Sequence, residues 1–116
     1  MKVNEPIQIG GLSVRNRLAI PAMRTGLSSS EDLVTDEMLE YYRSRTADGF
    51  MGMVVIEHAY VSRQGKAAQK QLSIASDYTI EGLARLAAAV HTSGTVAILQ
   101  ISHAGSKTIS TVTGME

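Results

Sequence analysis

The chain has 116 residues, no cysteine and no tryptophan, and its 11 Lys and Arg residues balance its 11 Asp and Glu residues. This balance leaves no basic face for nucleic acid, and the absence of cysteine excludes a disulfide scaffold and thiolate metal sites. The N-terminus lacks the apolar core of a signal peptide, and no apolar run approaches the ~20 residues of a membrane span. We therefore expect a cytoplasmic protein whose partners are small molecules or further subunits, not nucleic acid or membrane.

The N-terminal region predicts a short β-hairpin followed by a strand. Residues 7–14 alternate apolar and polar side chains around a Gly-Gly pair, which is typical of a two-residue hairpin turn. Residues 18–20 predict a short strand that ends at a proline, because proline cannot donate to an interior ladder. The loop after this strand is serine-rich and carries Arg24 and Thr25, which are its notable polar groups.

A helix and a buried strand are predicted next. Thr35 is a favourable N-cap, and Asp36 and Glu37 would complement the dipole in the first turn of a helix that ends at Gly49. Residues 52–57 are nearly all apolar instead of alternating. This pattern indicates a parallel strand that is covered on both faces.

A second helix and a third buried strand follow a long loop. Asp77 is predicted to cap a helix that ends at Gly94. The small residues of this helix would suit close packing on a sheet; they are Ala84, Ala87, Ala88 and Ala89. Residues 96–101 then form another continuous apolar run and predict the third strand, whereas residues 108–116 are polar and predicted to be irregular.

Polar side chains follow each of the three predicted strands. They are Arg24 and Thr25 after the first strand, Glu57 and His58 after the second, and Gln100, Ser102 and His103 at the end of the third. The carboxyl ends of parallel strands share one edge of the sheet, where α/β proteins bind their ligands. This placement predicts a small-molecule site, and the alternative is a set of solvated loops.

Three ordered segments resemble the N-terminal part of the Old Yellow Enzyme family, the FMN-dependent ene-reductases and dienoyl-CoA reductases. These segments are residues 16–23, 55–66 and 99–105. The resemblance implies an α/β fold: an N-terminal β-hairpin plus the βαβαβ portion of a TIM (β/α)8 barrel, which is incomplete in this chain. A complete barrel needs ~250 residues. Residues 1–116 would therefore be the N-terminal fragment of a single FMN-binding TIM-barrel domain.

The resemblance also implies which residues bind the flavin. Gln100 matches the family glutamine whose amide pairs with polar edge atoms of the isoalloxazine. His58 falls where many relatives place a small residue against the flavin, so it would contact the pyrimidine end of the ring or the substrate pocket, or else be held by local backbone. The implied cofactor-binding residues are Ala22, Met23, Arg24, Thr25, His58 and Gln100.

Arg24 departs from the pattern of the family, which usually has threonine, cysteine or histidine there. A guanidinium would favour the anionic reduced flavin, Thr25 could instead supply a neutral donor, and Arg24 could point to solvent. His103 and Gly105 match a motif that braces a loop. In the family the catalytic residues and the phosphate-binding loops come from later strands, so no catalytic residue is assigned here. No metal site is expected, because His58 and His103 lack a third ligand.

The resemblance implies an FMN-dependent oxidoreductase of the ene-reductase type. NADH or NADPH would reduce the flavin, which would pass hydride to an electron-poor alkene, and the fragment alone is expected to be inactive. Exposed strand edges leave assembly into a homo-oligomer open. One alternative is a non-enzymatic α/β module that self-associates through those edges. Another is a doubly wound domain for a different nucleotide, against which the missing glycine-rich phosphate loop argues.

Overall fold

The computed structural model describes residues 2–115 and begins with the predicted hairpin. Strands β1 (Ile7–Ile9) and β2 (Leu12–Val14) pair antiparallel, with Ile7 opposite Val14. Gly10 has a φ of +57° in the two-residue turn between them, a conformation that glycine adopts without a steric penalty. The predicted hairpin is confirmed.

A parallel sheet forms the centre of the fold. Strand β4 (Met53–Tyr60) lies between β3 (Ala19–Ile20) and β6 (Val96–Ser102), and both neighbours run parallel to it. A two-residue strand, β5 (Leu72–Ser73), pairs with the carboxyl end of β4 and was not predicted. Strands joined through helices in this order form the βαβαβ portion of a barrel, which confirms the predicted fold class.

The helix that connects β3 to β4 begins and ends as the sequence predicts. Helix α1 covers Asp36–Thr46, and the Thr35 hydroxyl accepts a hydrogen bond from the Met38 N–H at 3.2 Å. Gly49 follows the helix with a φ of +74°. A side chain would strain this left-handed backbone, which explains why the helix ends at a glycine.

The helix that connects β4 to β6 starts differently from the prediction. Helix α2 covers Ile80–His91, and a 3-10 turn at Asp77–Thr79 precedes it. Asp77 therefore lies inside that turn instead of capping the helix, and Ser76 before it makes no side-chain capping bond. The predicted cap is wrong because the chain enters α2 through the tighter turn, whose own hydrogen bonds replace a side-chain cap.

Both helices cover one face of the sheet and form a mainly aliphatic core with it. The buried core residues are Met38, Tyr42, Val54, Ile56, Ala59, Leu72, Leu86 and Val90. Helix α2 contributes Leu86 and Val90, whereas Ala84 and Ala88 are exposed. The predicted small-residue face is therefore wrong for Ala84 and Ala88, because the larger aliphatic side chains at helical spacing face the sheet.

The amino-terminal edge of the sheet is joined to the ends of both helices by Arg15. Its guanidinium donates to the backbone oxygen of Gly49 at 2.6 Å and to the backbone oxygen of Ser93. A short helix, α3, covers Ser110–Thr113, where the sequence predicted irregular structure; Glu116 lies outside the described residues. No helix between residues 2 and 115 is long and apolar enough to cross a membrane.

Candidate functional site

A bulge in β4 shapes the edge where the three parallel strands end. The pairing of β4 with β6 shifts by one residue between Ile56 and Ala59. Glu57 and His58 together therefore stand against the single residue Gln100 of β6. Bulges of this kind re-aim side chains at the ends of strands, and this one includes His58 and faces Gln100, two of the residues that the resemblance assigns to the flavin.

Glu57 is fully buried at this bulge, and its hydrogen bonds connect β4 to helix α1 and to the loop after β3. Its Oε1 accepts hydrogen bonds from Thr25 Oγ1 at 2.6 Å and from the Tyr42 hydroxyl at 3.2 Å, and its Oε2 accepts one from the Thr25 N–H at 3.2 Å. The Tyr42 oxygen in turn accepts the Glu57 N–H at 3.0 Å. Burial raises the pKa of Tyr42 well above its usual range, so this hydroxyl keeps the proton that it donates.

In the loop after β3, Met23 and Arg24 are exposed at the strand ends, whereas Thr25 is hydrogen-bonded to Glu57. Met23 is 50% exposed, and Arg24 Nη1 donates to the backbone oxygen of Gln69 at 3.0 Å. Ala22 is half-buried. Both Thr25 donors, its N–H and its hydroxyl, point to Glu57. Thr25 therefore offers no free hydrogen to a ligand in this structure, whereas Arg24 uses one of the five N–H groups of a guanidinium.

His58 and Gln100 supply polar groups without protein partners. Gln100 is exposed, and its amide makes no hydrogen bond within residues 2–115. His58 Nε2 is buried and also lacks a partner among those residues. Buried polar atoms are ordinarily satisfied, so a buried imidazole nitrogen without a partner among residues 2–115, on the strand next to the free amide of Gln100, suits a ligand that carries both donors and acceptors, as the edge of a flavin ring does.

His103 braces the loop after β6, in agreement with the role that the resemblance implies. Its Nδ1 accepts the N–H of Gly105 at 3.0 Å. The imidazole packs so closely on Gly65 that a Cβ at that position would collide with the ring. The Gly65 backbone oxygen also accepts the Ala104 N–H at 2.9 Å, so the loops after β4 and β6 are attached to each other.

A second buried carboxylate in the loop after β3 was not predicted. Asp32 Oδ2 accepts hydrogen bonds from Lys66 Nζ at 2.6 Å and from the Tyr60 hydroxyl at 2.8 Å, and the charged side chains of Asp32 and Lys66 are 3% and 5% exposed. Burial is the main cause that raises the pKa of Tyr60. Asp32 and Lys66 are 34 residues apart and both lie in polar segments. No sequence pattern distinguishes them from ordinary surface charges.

Comparison with known sequences identifies the family. The sequence profile of the NADH:flavin oxidoreductase / NADH oxidase family matches residues 2–113. The chain belongs to this family. It is 36% identical over 107 residues to an NADH oxidase of Thermoanaerobacter brockii, a match that covers 91% of this chain and 16% of that protein. It is 37% identical over 103 residues to an NADH:acrylate oxidoreductase of Vibrio harveyi, covering 89% of this chain and 10% of that protein.

Comparison with solved structures supports the same assignment. The structure of an Old Yellow Enzyme homologue from Zymomonas mobilis superimposes with a TM-score of 0.91 at 27% sequence identity, over 100% of this chain and 32% of that one. The resemblance to the Old Yellow Enzymes and the fold of a partial barrel are therefore confirmed. The chain spans about a third of that structure and between a tenth and a sixth of the two curated relatives.

Proposed function

We propose that this chain forms part of the flavin site of an FMN-dependent oxidoreductase of the ene-reductase type. Membership of the NADH:flavin oxidoreductase family supports flavin and nicotinamide chemistry. The observation that carries the proposal is the unpaired amide of Gln100 beside the bulge of Glu57 and His58, at the common edge of the parallel strands. Sites in barrels of this type lie at that edge.

The proposed flavin contacts come from all three strand ends. Gln100 would offer the amide donor and acceptor to the polar edge of the ring, and the buried His58 Nε2 would pair with a polar atom of the same ring. The segment after β3 would lie along the ring. The residues in this proposal are Ala22, Met23, Arg24, Thr25, His58 and Gln100, with Thr25 acting through Glu57 instead of as a direct donor.

A bound flavin supplies hydride transfer between a nicotinamide and a small electron-poor alkene. The residues of this chain bind and orient the ring, and Arg24 places a positive charge at the strand edge that would favour a negative charge on it. The NADH:acrylate oxidoreductase relative supports an alkene as the acceptor. We expect the 116-residue chain to show no turnover alone, because its parallel strands are a minority of the eight that close a barrel.

Titration of the purified chain with FMN tests this proposal. Flavin fluorescence and the visible spectrum are followed for the wild-type chain, Gln100→Ala and the matched control Gln8→Ala. Gln8 is an exposed glutamine on the hairpin, away from the strand ends. We expect saturable binding that is weakened about tenfold by Gln100→Ala and unchanged by Gln8→Ala, since lost amide hydrogen bonds are worth roughly 1–2 kcal/mol. Equal affinity of Gln100→Ala and wild type, or no saturable binding by wild type, would contradict the proposal.

A second candidate function is self-association of a non-enzymatic module. Among residues 2–115, β6 has a strand partner only in β4, and its Ile101 is 66% exposed. An unpaired strand edge with an exposed apolar side chain favours pairing with another chain. This candidate predicts concentration-dependent assembly in sedimentation velocity without FMN affinity. Ile101→Lys would abolish the assembly, whereas Ile80→Lys, a change at an exposed isoleucine of α2, would not.

A further inference from the structure

The carboxylate of Glu57 is buried at a position where an apolar side chain would carry no desolvation penalty. Its neighbours on β4, Val54 and Ile56, are buried aliphatic residues of the core. Transfer of a carboxylate into such a core is unfavourable unless strong hydrogen bonds compensate for lost water. Glu57 is 0% exposed, and both of its oxygens accept hydrogen bonds from the protein. The buried carboxylate is therefore stabilised by three donors: the Thr25 N–H, the Thr25 hydroxyl and the Tyr42 hydroxyl.

Two of these donors belong to Thr25, in a segment that has no regular secondary structure. Residues 21–35 contain neither helix nor strand, and the backbone–backbone hydrogen bonds of this loop lie at residues 29–35 and not at residues 22–25. The Thr25 N–H and hydroxyl reach the two different oxygens of Glu57, at 3.2 Å and 2.6 Å. This two-point attachment, together with the bond from Arg24 to the Gln69 backbone oxygen, fixes the position and the orientation of the segment 22–25.

Glu57 also lies at the bulge in β4. His58 is its neighbour along β4, and Gln100 faces the pair from β6. A shift of the Glu57 side chain would therefore move the segment 22–25 relative to His58 and Gln100. We propose that Glu57 is the positioning residue of the flavin site, which through Thr25 holds the segment 22–25 in register with His58 and Gln100. This inference rests on the proposed function.

Glu57→Gln tests the role of Glu57 with almost no change in volume. The amide keeps one acceptor oxygen, and its NH₂ group replaces the other. At the Oε2 position the NH₂ group would face the Thr25 N–H, a second donor, and at the Oε1 position it would remove the acceptor of the Thr25 and Tyr42 hydroxyls. We expect hydrogen exchange of the Thr25 amide to accelerate about tenfold or more, and FMN affinity to fall about tenfold. The visible spectrum of the bound flavin at saturation is also expected to change, because the ring contacts of the segment shift.

Tyr42→Phe is the matched control. It removes the third donor to the same carboxylate and leaves both Thr25 contacts in place. We expect this variant to be less stable, but its Thr25 amide should exchange no faster than the loss of global stability alone explains. Its flavin spectrum and FMN affinity should be those of the wild type. A merely structural role for Glu57 would make the two variants alike. Thr25→Val deletes the hydroxyl that donates to Glu57 and accepts the Leu27 N–H, and leaves the Thr25 N–H in place. It provides a second variant should Glu57→Gln not fold, and is expected to weaken FMN binding as well.

The outcomes separate this inference from the proposed function. Faster Thr25 exchange together with weaker FMN binding in Glu57→Gln, but not in Tyr42→Phe, supports positioning by Glu57. Wild-type Thr25 exchange in Glu57→Gln, or faster exchange with unchanged FMN affinity and spectrum, overturns it. A wild-type chain that binds no FMN overturns the proposed function and with it the flavin role of Glu57. The exchange measurement, made without flavin, then still reports whether Glu57 holds the loop.

Discussion

Replacement of Lys66 by methionine is expected to destabilise the fold far more than loss of an ordinary surface charge. Lys66 Nζ lies 2.6 Å from Asp32 Oδ2, and the side chains are 5% and 3% exposed. Methionine keeps the apolar stem but removes the ammonium, and the Asp32 carboxylate then retains a single hydrogen bond, from the Tyr60 hydroxyl at 2.8 Å. Asp32 Oδ1 already has no partner among residues 2–115, so the stranded charge would be poorly compensated.

The expected loss is about 3–5 kcal/mol of unfolding free energy, the usual effect of removing one partner from a buried ion pair. Urea denaturation at neutral pH, followed by far-UV circular dichroism, measures it. The double variant Asp32→Asn with Lys66→Met removes the stranded charge, and asparagine accepts the φ of +64° at this position. We therefore expect the double variant to recover a large part of the loss, as a double-mutant cycle would reveal.

Arg85→Met is the matched control, because it breaks an exposed ion pair. Arg85 Nη2 lies 2.7 Å from Asp36 Oδ1, with the two side chains 53% and 89% exposed. Its removal is expected to cost less than about 1 kcal/mol, since water and salt screen such pairs. A loss of that size for Lys66→Met as well would refute the reasoning. It would show that water reaches the Asp32 carboxylate and that the pair is not buried in solution.

Two further predictions concern stability. Arg15→Ala removes a guanidinium that donates to the backbone oxygens of Gly49 and Ser93, which follow the two helices. We expect urea denaturation to show a loss of about 1 kcal/mol in the free energy of unfolding, whereas Arg17→Ala, at an exposed arginine, should have little effect. Burial raises the pKa of Tyr42 above its ordinary value of 10.0, so the unfolded chain loses this proton at a lower pH than the folded chain does. The free energy of unfolding is therefore unaffected by this group below about pH 10 and falls as the pH rises further. Tyr42→Phe should be less stable at neutral pH yet lose less free energy of unfolding in alkaline buffer; an alkaline loss equal to that of wild type would contradict this assignment.

The six residues predicted to contact flavin are distributed over three strand ends that the structure brings to one edge. Neighbouring parallel strands place their carboxyl ends together, so continuous apolar runs followed by polar residues were enough to predict this arrangement. Their contacts with flavin remain a prediction. What the sequence did not indicate is that Thr25 reaches this edge already bonded to Glu57 across 32 residues of chain.

Local pattern determined the hairpin, the three parallel strands and the end of α1, because turn chemistry, apolar runs and capping act within a few residues. Thr35 capped its helix as predicted, since its partner is the N–H of Met38, three residues away. The tertiary structure alone decided the bulge at Glu57 and the burial of Asp32 with Lys66. A charged residue is exposed by default, and only the packing of distant loops can remove it from water and select its partner.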